Sequence, residues 1–426
     1  MTDKKNRSSS TVDPARRKLL LGGAVVAGSA LLSDTVLRQG AIAQDSIPDW
    51  SKKLGYGVDT FPYGVPSSHE SHVQRRTVDW LTPTKEASVN FTPLHELDGI
   101  ITPNGLCFER HHGGAADIDP AEHSLTLHGL VDRPLRWTVD ELRQFPHENH
   151  IHFLECASNT GMEWRGAQMN GVQFTHGMVH CVEYSGVKLS TLLDYAGVKS
   201  KAAWLLVEGA DAAGMTRSLP LFKAMDDVLV AWSMNGERLR REQGYPLRLV
   251  VPGWEGNLWI KWLRRIEVGD QPWHTREETS RYTDLMPDGI SRQFSWAMGV
   301  KSVITSPSPQ KAMQRKGPCQ ITGLAWTGGG RIKHVDISVD GGRNWREARL
   351  SGLVLPHALT RFNFDWDWQG DEAFIMSRAV DETGSVQPTI SQLRKVRGLN
   401  STSHNNAIQT WRIHPGGKVE NVQLAL

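Results

Sequence analysis

The sequence predicts an α+β domain followed by an all-β sandwich. Between residues 96 and 295, short helices alternate with strand-like segments. The residues TVDE at 138–141 form a capping box that opens a short helix. An apolar helical face over residues 189–196 stops at Gly197, a residue type that commonly ends helices. Between residues 296 and 426, short strands are separated by turns, which is typical of a β-sandwich.

The expected strands follow from runs of β-branched and apolar residues. In the first domain they lie near 125–130, 151–155, 204–207, 228–232 and 247–251. In the second domain Val335, Ile337 and Val339 alternate with polar residues, and the sequence Asp-Gly-Gly at 340–342 predicts a turn. A second alternation follows at Phe362, Phe364, Trp366 and Trp368.

Residues 1–43 have the features of an export signal that is not part of the fold. Arg16-Arg17-Lys18 precedes the apolar run LLLGGAVVAGSALL, and Ala41-Ile42-Ala43 is typical of a cleavage site. The paired arginines favour the twin-arginine route, and therefore a periplasmic protein. An uncleaved membrane anchor is the alternative, although the run is short for a membrane span.

Residues 44–95 contain no sustained period and are expected to form an extended arm on the main domain, or to be disordered. The signal carries seven Lys or Arg and three Asp, so the rest of the chain has a net charge near −2. The basic pI is therefore largely a property of the signal, and no nucleic-acid partner is expected. The four cysteines form no dense disulfide framework, and without a Cys-x-x-Cys-His sequence no covalent haem is expected on this chain.

The stretch HIHFLECASNTGMEWR, residues 150–165, holds the main candidate site. A strand ends at Glu155-Cys156 and opens into a loop of small residues, a favourable place for metal or nucleophilic chemistry. The alternative is that Cys156 is a buried structural thiol without a chemical role. Blue copper requires a nearby histidine, yet none follows Cys156 before His176. Zinc held by His150, His152 and Cys156 lacks a convincing fourth ligand.

Cys156-Ala157-Ser158-Asn159 resembles the Cys-Ala-Gly-Asn loop of the sulfite oxidase family of molybdenum enzymes. The resemblance covers roughly residues 95–426 in several separate motifs. It implies a sulfite-oxidase-type molybdopterin-binding domain over 96–295, followed by an immunoglobulin-like dimerisation domain over 296–426. It further implies that Cys156 ligates molybdenum as a thiolate, beside the dithiolene of a molybdopterin, and that this subunit forms a homodimer.

The resemblance also implies two further catalytic residues. Phe108-Glu109-Arg110-His111-His112 resembles the family's Phe-x-Arg-Asn-His segment, so Arg110 would face the substrate. A guanidinium can bind a sulfur oxyanion through two hydrogen bonds. Tyr282 matches the family's active-site tyrosine, whose phenol can donate a hydrogen bond to substrate or oxo oxygen.

Five residues are implied to bind the cofactor. His112 matches a cofactor-contacting histidine, and Asp211, in the sequence Glu-Gly-Ala-Asp, matches an acceptor for pterin N–H groups. Arg248, in the long match from Gly236 to Pro252, corresponds to an arginine that faces the cofactor phosphate. Gln243 stands where a histidine is common. Lys261, in a Lys-Trp-Leu segment, would place its charge at the phosphate or a ring oxygen.

Two positions depart from the family pattern. Arginines usually follow the cysteine loop, but here Thr160 and Gly161 occupy those places. We therefore expect the oxyanion pocket to be wider and less positive. His111 departs from the usual asparagine.

The function that the resemblance implies is oxygen transfer from water to sulfur, with two electrons collected per cycle. The electrons would pass to a separate c-type cytochrome subunit. The expected substrate is sulfane sulfur on the cysteine of a carrier protein, as in bacterial thiosulfate oxidation; free sulfite, as for a sulfite dehydrogenase, is the alternative. A non-catalytic binding subunit would hold no molybdenum, which a metal assay would detect.

Overall fold

The computed structural model describes residues 52–425, which fall into two compact units divided at Pro66. Residues 52–66 are exposed along their whole length, and their Tyr56 and Phe61 rings meet edge to face at 5.3 Å. The predicted signal, residues 1–43, lies outside the described residues. In the described part of the chain, no helix has the length and apolar character that a membrane span requires.

The second unit, which begins at Ser67, contains all the regular strands and helices that the structure describes. Its first strands are β1 (Arg76–Thr77), β2 (Asn90–Phe91), β3 (Ser124–Gly129), β4 (Leu135–Thr138), β5 (Glu148–Glu155), β6 (Val179–Lys188), β7 (Trp204–Gly209), β8 (Thr216–Pro220), β9 (Leu229–Met234), β10 (Glu237–Arg238), β11 (Arg248–Val250), β12 (Leu263–Gly269), β13 (Asp284–Leu285) and β14 (Ser291–Arg292). Its helices are α1 (Val139–Leu142), α2 (Val172–His176), α3 (Leu189–Ala196), α4 (Leu221–Asp226), α5 (Arg276–Ser280) and α6 (Ile390–Arg397).

Two five-stranded sheets build the α+β part and share one hydrophobic core. The first has the order β10-β9-β6-β5, with β11 also paired to β9. The second has the order β4-β3-β12-β7-β8, in which β12 and β3 are parallel and the other neighbours antiparallel. Leu125 on β3, Val182 on β6 and Leu205 on β7 all lie in the shared core with no exposed surface. Each such side chain contributes about 1.5–3 kcal/mol of hydrophobic stabilisation.

The local signals of this part act as the sequence predicts. Thr138 Oγ1 accepts from the Glu141 N–H at 3.2 Å, and the Glu141 carboxylate accepts from the Thr138 N–H at 2.7 Å, which completes the capping box of α1. Helix α3 ends at Gly197, whose φ of +75° suits glycine. The predicted strands correspond to β3, β5, β7, β9 and β11, with shifts of a few residues at their ends.

Residues 67–95, part of the expected arm, belong to the second unit. Strands β1 and β2 pair with each other, and the Asn90 N–H donates to the Glu109 carbonyl at 3.0 Å. Phe91 is 3% exposed and Leu94 is fully buried. Leu94 lies in the hydrophobic core of the C-terminal part, so this segment bridges the two halves of the unit.

The C-terminal part is a sandwich of two antiparallel sheets around its own core, as predicted. Its strands are β15 (Lys301–Ser306), β16 (Gly317–Trp326), β17 (Ile332–Ser338), β18 (Arg346–Glu347), β19 (Arg349–Ser351), β20 (Thr360–Trp368), β21 (Ala373–Asp381), β22 (Thr410–Ile413) and β23 (Val419–Val422). One sheet has the order β15-β16-β20-β19 and the other β18-β17-β21-β22-β23. The alternating Phe362 and Phe364 point into the core. Strand β17 ends at Ser338, so Val339 lies just beyond it.

A buried ion pair joins the two parts at the end of β5. Lys301 Nζ, at the start of β15, donates to Glu155 Oε1 at 2.8 Å, and Trp326 Nε1, at the end of β16, donates to Glu155 Oε2 at 2.7 Å. Asn159 Nδ2 donates to Glu155 Oε1 at 2.9 Å. Glu155 is fully buried and Lys301 is 1% exposed. The carboxylate that immediately precedes Cys156 is therefore held by two strands of the sandwich.

Replacing Lys301 by methionine should lower the free energy of unfolding by about 3–5 kcal/mol, because the Glu155 carboxylate would remain buried without its cation. Chemical denaturation of the purified protein measures the change. The control is Arg412→Met, which removes a partly exposed pair with Glu372 and should cost no more than about 1 kcal/mol. Equal effects of the two substitutions would contradict this account of the junction.

Candidate functional site

All eight residues that the sequence assigned to the site line one cavity. The cavity contains about 700 Å³ of space free of protein atoms, part of it open to solvent. Its walls include Arg110, His112, Cys156, Asp211, Gln243, Arg248, Lys261 and Tyr282. These residues come from segments scattered over more than 170 positions of the chain, and the fold brings them to one cavity. Their individual roles remain predictions.

Cys156 lies at the cavity wall where β5 gives way to a tight loop. Its N–H donates to the Met178 carbonyl at 3.0 Å, and its carbonyl accepts from the Asn159 N–H at 2.9 Å. Burial raises the pKa of the Cys156 thiol, although the charge of Arg110 opposes the shift. The free thiol is therefore protonated at neutral pH, and a bound metal would be needed to hold it as the thiolate.

Arg110 and His112 stand on the wall beside Cys156. Arg110 Nη1 donates to the Ala87 carbonyl at 3.1 Å, which anchors the guanidinium to the segment before β2. Burial, together with the charge of Arg110, lowers the pKa of His112 to about 4. His112 is therefore a neutral imidazole at physiological pH, able to donate through one nitrogen and accept through the other.

Lys261 is surrounded by acceptors in the cavity wall. Its Nζ donates to the carbonyls of Arg110 and Glu242, each at 3.1 Å, and to His111 Nδ1 at 2.8 Å. Since His111 Nδ1 accepts, its Nε2 carries the proton and donates to Glu109 Oε2 at 2.9 Å. Burial, assisted by the nearby Arg248, lowers the pKa of Lys261 to about 7. An anion bound in the cavity would raise that pKa and fix the positive charge.

Arg248 and Gln243 form the next part of the cavity wall. Arg248 Nη1 donates to the Gln243 carbonyl at 3.0 Å and Nη2 to the Trp259 carbonyl at 3.3 Å. The side chain of Arg248 is 1% exposed, and its Nε has no hydrogen-bond partner in the described structure. Gln243 Nε2 donates to the Phe108 carbonyl at 3.0 Å. A buried guanidinium with an unused donor is suited to an anionic group such as a phosphate.

Asp211 lies in the loop between β7 and β8. Its Oδ1 accepts from the Met215 N–H at 3.3 Å, which shapes the loop around the cavity. Glu208, at the start of the same sequence motif, pairs instead with Arg265 at 2.6 Å and does not line the cavity. Asp211 is therefore the carboxylate of this motif that can accept hydrogen bonds from a ligand in the cavity.

Tyr282 follows helix α5 and lines the cavity with Cys156. Its N–H donates to the Glu277 carbonyl at 3.1 Å, and the guanidinium of Arg217 lies 4.8 Å from the centre of its ring. Burial raises the pKa of Tyr282, and a negative charge on Cys156 would raise it further. The phenol therefore keeps its proton and is a hydrogen-bond donor at physiological pH.

The expected widening of the pocket at Thr160 and Gly161 is wrong. Neither residue lines the cavity, and Thr160 is 5% exposed. A Cβ atom added at Gly161 would lie 2.6 Å from the Thr402 carbonyl oxygen. The volume that a longer side chain would take is filled by backbone from the C-terminal part, so the loss of bulk leaves no space.

Several residues that line the cavity were not predicted from the sequence. His180 and Trp259 line the cavity, and burial keeps the pKa of His180 far below its ordinary value. His180 reaches the site because β6 pairs with β5 and sets it opposite Leu154. Only the alternation along β6 could have pointed to this residue, and alternation does not reveal which strand is the partner. Among the described residues, no group of three or more His, Cys, Asp or Glu side chains could hold a metal ion. This finding argues against the zinc alternative.

Replacing Gly161 by alanine should destabilise the protein by about 1–3 kcal/mol, because the added methyl group overlaps a backbone oxygen that cannot rotate away. Thermal unfolding compared with wild type measures the effect. Gly416→Ala is the matched control, since a Cβ there meets no atom within 4 Å. An unchanged melting temperature for the Gly161 variant would show that the segment around Thr402 is not packed as described.

The comparisons with known proteins agree with this geometry. The family model described as the oxidoreductase molybdopterin binding domain matches residues 112–277, and that of the Mo-co oxidoreductase dimerisation domain matches residues 292–411. Mitochondrial sulfite oxidase of Mus musculus is 33% identical over 74% of this chain, which spans 62% of the mouse protein. Sulfite oxidase of Gallus gallus is 32% identical over 74% of each chain.

A solved structure extends the similarity to nearly the whole described fold. The crystal structure of the sulfane dehydrogenase SoxCD from Paracoccus pantotrophus matches with a TM-score of 0.88 and 55% sequence identity, over 89% of this chain and 98% of that chain. The predicted combination of a molybdopterin-binding α+β part and a β-sandwich is thereby confirmed. The chain belongs to the sulfite oxidase family of molybdopterin oxidoreductases.

Proposed function

We propose that this chain is the molybdenum subunit of a sulfane dehydrogenase, which oxidises sulfane sulfur carried on a protein cysteine. The observation that carries the proposal is the 55% identity with the sulfane dehydrogenase SoxCD over 98% of that chain. It is supported by the convergence of Cys156, Arg110 and Tyr282 on one cavity.

The side chains of the cavity fit a molybdopterin. Cys156 offers a soft sulfur ligand, the type that suits molybdenum. Arg248, with its unpartnered buried Nε, and Lys261 offer positive charge for the phosphate, while Asp211 offers an acceptor for pterin N–H groups. His112 and Gln243 complete the proposed cofactor contacts. When bound, the cofactor supplies the two-electron oxidation of sulfur with oxygen derived from water.

The remaining chemistry belongs to the substrate side of the cavity. Arg110 binds the negative charge that grows as sulfur gains oxygen atoms, through charge-assisted hydrogen bonds. Tyr282 donates its phenolic proton as a hydrogen bond to the same oxygen atoms, because its raised pKa keeps it neutral. The partly buried position of the site limits the access of water, which strengthens both interactions.

The electrons must leave the site to a partner protein. The sequence contains no Cys-x-x-Cys-His motif, so we assign the acceptor role to a c-type cytochrome subunit. The match of residues 292–411 to a dimerisation domain supports self-association through the sandwich. We place the complex in the periplasm on the strength of the signal sequence around Arg16 and Arg17.

Free sulfite is the alternative substrate, and the sulfite oxidases of mouse and chicken support it. Sulfite is a small dianion and gains from several cations near the metal. In this cavity we assign Lys261 and Arg248 to the cofactor, which leaves Arg110 as the cation assigned to substrate. A less charged persulfide on a carrier needs fewer cations, and this assignment supports the sulfane proposal.

The wild-type protein should contain molybdenum and oxidise a persulfidated carrier protein with higher kcat/KM than free sulfite, when a c-type cytochrome accepts the electrons. Arg110→Met should lower kcat/KM by about 10- to 100-fold, as expected for the loss of a charge-assisted hydrogen bond. Metal analysis and steady-state kinetics at fixed ionic strength measure both.

The control for Arg110→Met is Arg331→Met, which removes an exposed arginine paired with Glu382 on the sandwich and should leave kcat/KM unchanged. A wild-type protein that oxidises sulfite far better than the loaded carrier would replace the sulfane proposal by the sulfite alternative. A metal-free protein would reject both.

Replacing Arg16 and Arg17 together by lysine should trap folded, cofactor-loaded precursor in the cytoplasm, because the twin-arginine route reads this pair. Cell fractionation followed by immunoblotting measures the distribution. The control is Lys4→Arg with Lys5→Arg, which alters basic residues away from the pair. Normal periplasmic yield of the lysine variant would exclude the proposed route.

A further inference from the structure

A segment of the C-terminal part, Ser401 to Asn405, contacts two of the three stretches of chain that carry the proposed catalytic groups, those of Cys156 and Tyr282. The His404 N–H donates to the Ala157 carbonyl at 2.7 Å, and Asn405 Nδ2 donates to the Thr160 carbonyl at 3.2 Å. Both acceptors belong to the loop that begins at Cys156. Ser401 Oγ donates to Asp284 Oδ1 at 3.2 Å, two residues beyond Tyr282. The segment therefore fixes the two stretches relative to each other.

His404 also reaches the site through its side chain. Its φ is +57°, in the left-handed region, and the residue is 6% exposed. Its Nε2 donates to Glu255 Oε2 at 3.2 Å, since a carboxylate can only accept. Glu255 is 2% exposed and directly precedes Gly256 and Asn257, two residues of the cavity wall.

Glu255 also binds Arg217 with its other carboxylate oxygen. Arg217 Nη2 donates to Glu255 Oε1 at 3.1 Å, and Arg217 is fully buried. The guanidinium of Arg217 lies 4.8 Å from the centre of the Tyr282 ring. Its Nε is 3.6 Å from Glu278 Oε1, and Glu278 caps helix α5 just before Tyr282. A continuous chain of contacts thus joins His404 to the face of the tyrosine ring.

Stability is a weak reason for such a chain. Apolar side chains of similar volume are often as stabilising as buried ion pairs, because the charges must first be removed from water. A chain of ion pairs instead fixes the orientation of its members. A planar guanidinium can stack its face on an aromatic ring while its edge donates hydrogen bonds to a carboxylate. The chain ends at the ring that we assign to substrate.

We propose that His404, contributed by the C-terminal part, is a positioning residue that sets the orientation of Tyr282 through Glu255 and Arg217. Its peptide N–H holds the Cys156 loop in the same arrangement. The inference rests on the proposed function for its kinetic test alone, since the orientation of the ring can be measured without turnover.

His404→Asn separates the side-chain contact from the backbone. Asparagine tolerates the left-handed conformation and keeps the peptide N–H that binds Ala157, but it is too short to reach Glu255. The variant should lower kcat by about tenfold, the equivalent of 1.4 kcal/mol, with KM and molybdenum content unchanged. In a Tyr282→Phe background, which lacks the hydroxyl to be placed, the same substitution should have no further effect. Equal losses in both backgrounds would overturn the proposal.

Fluorine NMR of the holoenzyme labelled with 3-fluorotyrosine tests the orientation directly. The chain has six tyrosines, and Tyr282→Phe identifies the resonance of interest by its disappearance. His404→Asn and Arg217→Lys should both move that resonance by more than its linewidth, because each alters the contact behind the ring. The matched control is His414→Asn, which breaks a His–Glu pair with Glu420 at 2.8 Å elsewhere on the sandwich and should leave it in place.

The two readouts separate the two proposals. A Tyr282 resonance that does not move in His404→Asn would overturn the positioning role, whatever the substrate is and whether or not Arg217→Lys moves it. A wild-type protein without molybdenum or sulfur oxidation would reject the proposed function, while a shifted resonance in the variants would still support the contact chain to Tyr282. Melting temperatures identify any variant that fails to fold. Arg217→Lys retains the buried charge, so it still tests the contact with the ring if another variant does not fold.

Discussion

The position of the cysteine loop in the site depends on the buried carboxylate of Glu155. It stands directly before Cys156, and it is ionically paired with Lys301 at 2.8 Å on the first strand of the sandwich. A carboxylate without exposed surface requires such a partner, since an unpaired charge in the interior is strongly destabilising. The cysteine loop is therefore placed by two halves of the chain at once, and neither half alone supplies its support.

Positive charge in the cavity is arranged by the same logic of burial and pairing. Lys261 is held by three acceptors yet has a pKa near 7, so its charge depends on what occupies the cavity. Arg248 keeps an unused N–H in the interior. A buried positive charge and a buried unpaired N–H are both favourable next to an anion. The polar groups thus match a negatively charged, hydrogen-bonding cofactor better than an apolar ligand.

Sequence patterns predicted the structural features that depend only on neighbouring residues. The capping box at Thr138, the alternation through Phe362 and the turn after Cys156 each depend on neighbours within a few residues. The residues that were missed depend on distant pairing: Lys301 meets Glu155 across 146 positions, and His180 enters the site through strand register. The error at Gly161 has the same origin, because a missing side chain looks like empty space until the backbone of Thr402 is placed beside it.

The contact between Gly161 and Thr402 constrains the order in which such a site can change. A long side chain at position 161 would require residues 401–405 to follow another path, since a side chain and this backbone cannot share the volume. In the present structure, one substitution at position 161 cannot introduce a long side chain without displacing that segment. A change beside the cysteine loop therefore depends first on a buried segment that is far from the cysteine in sequence.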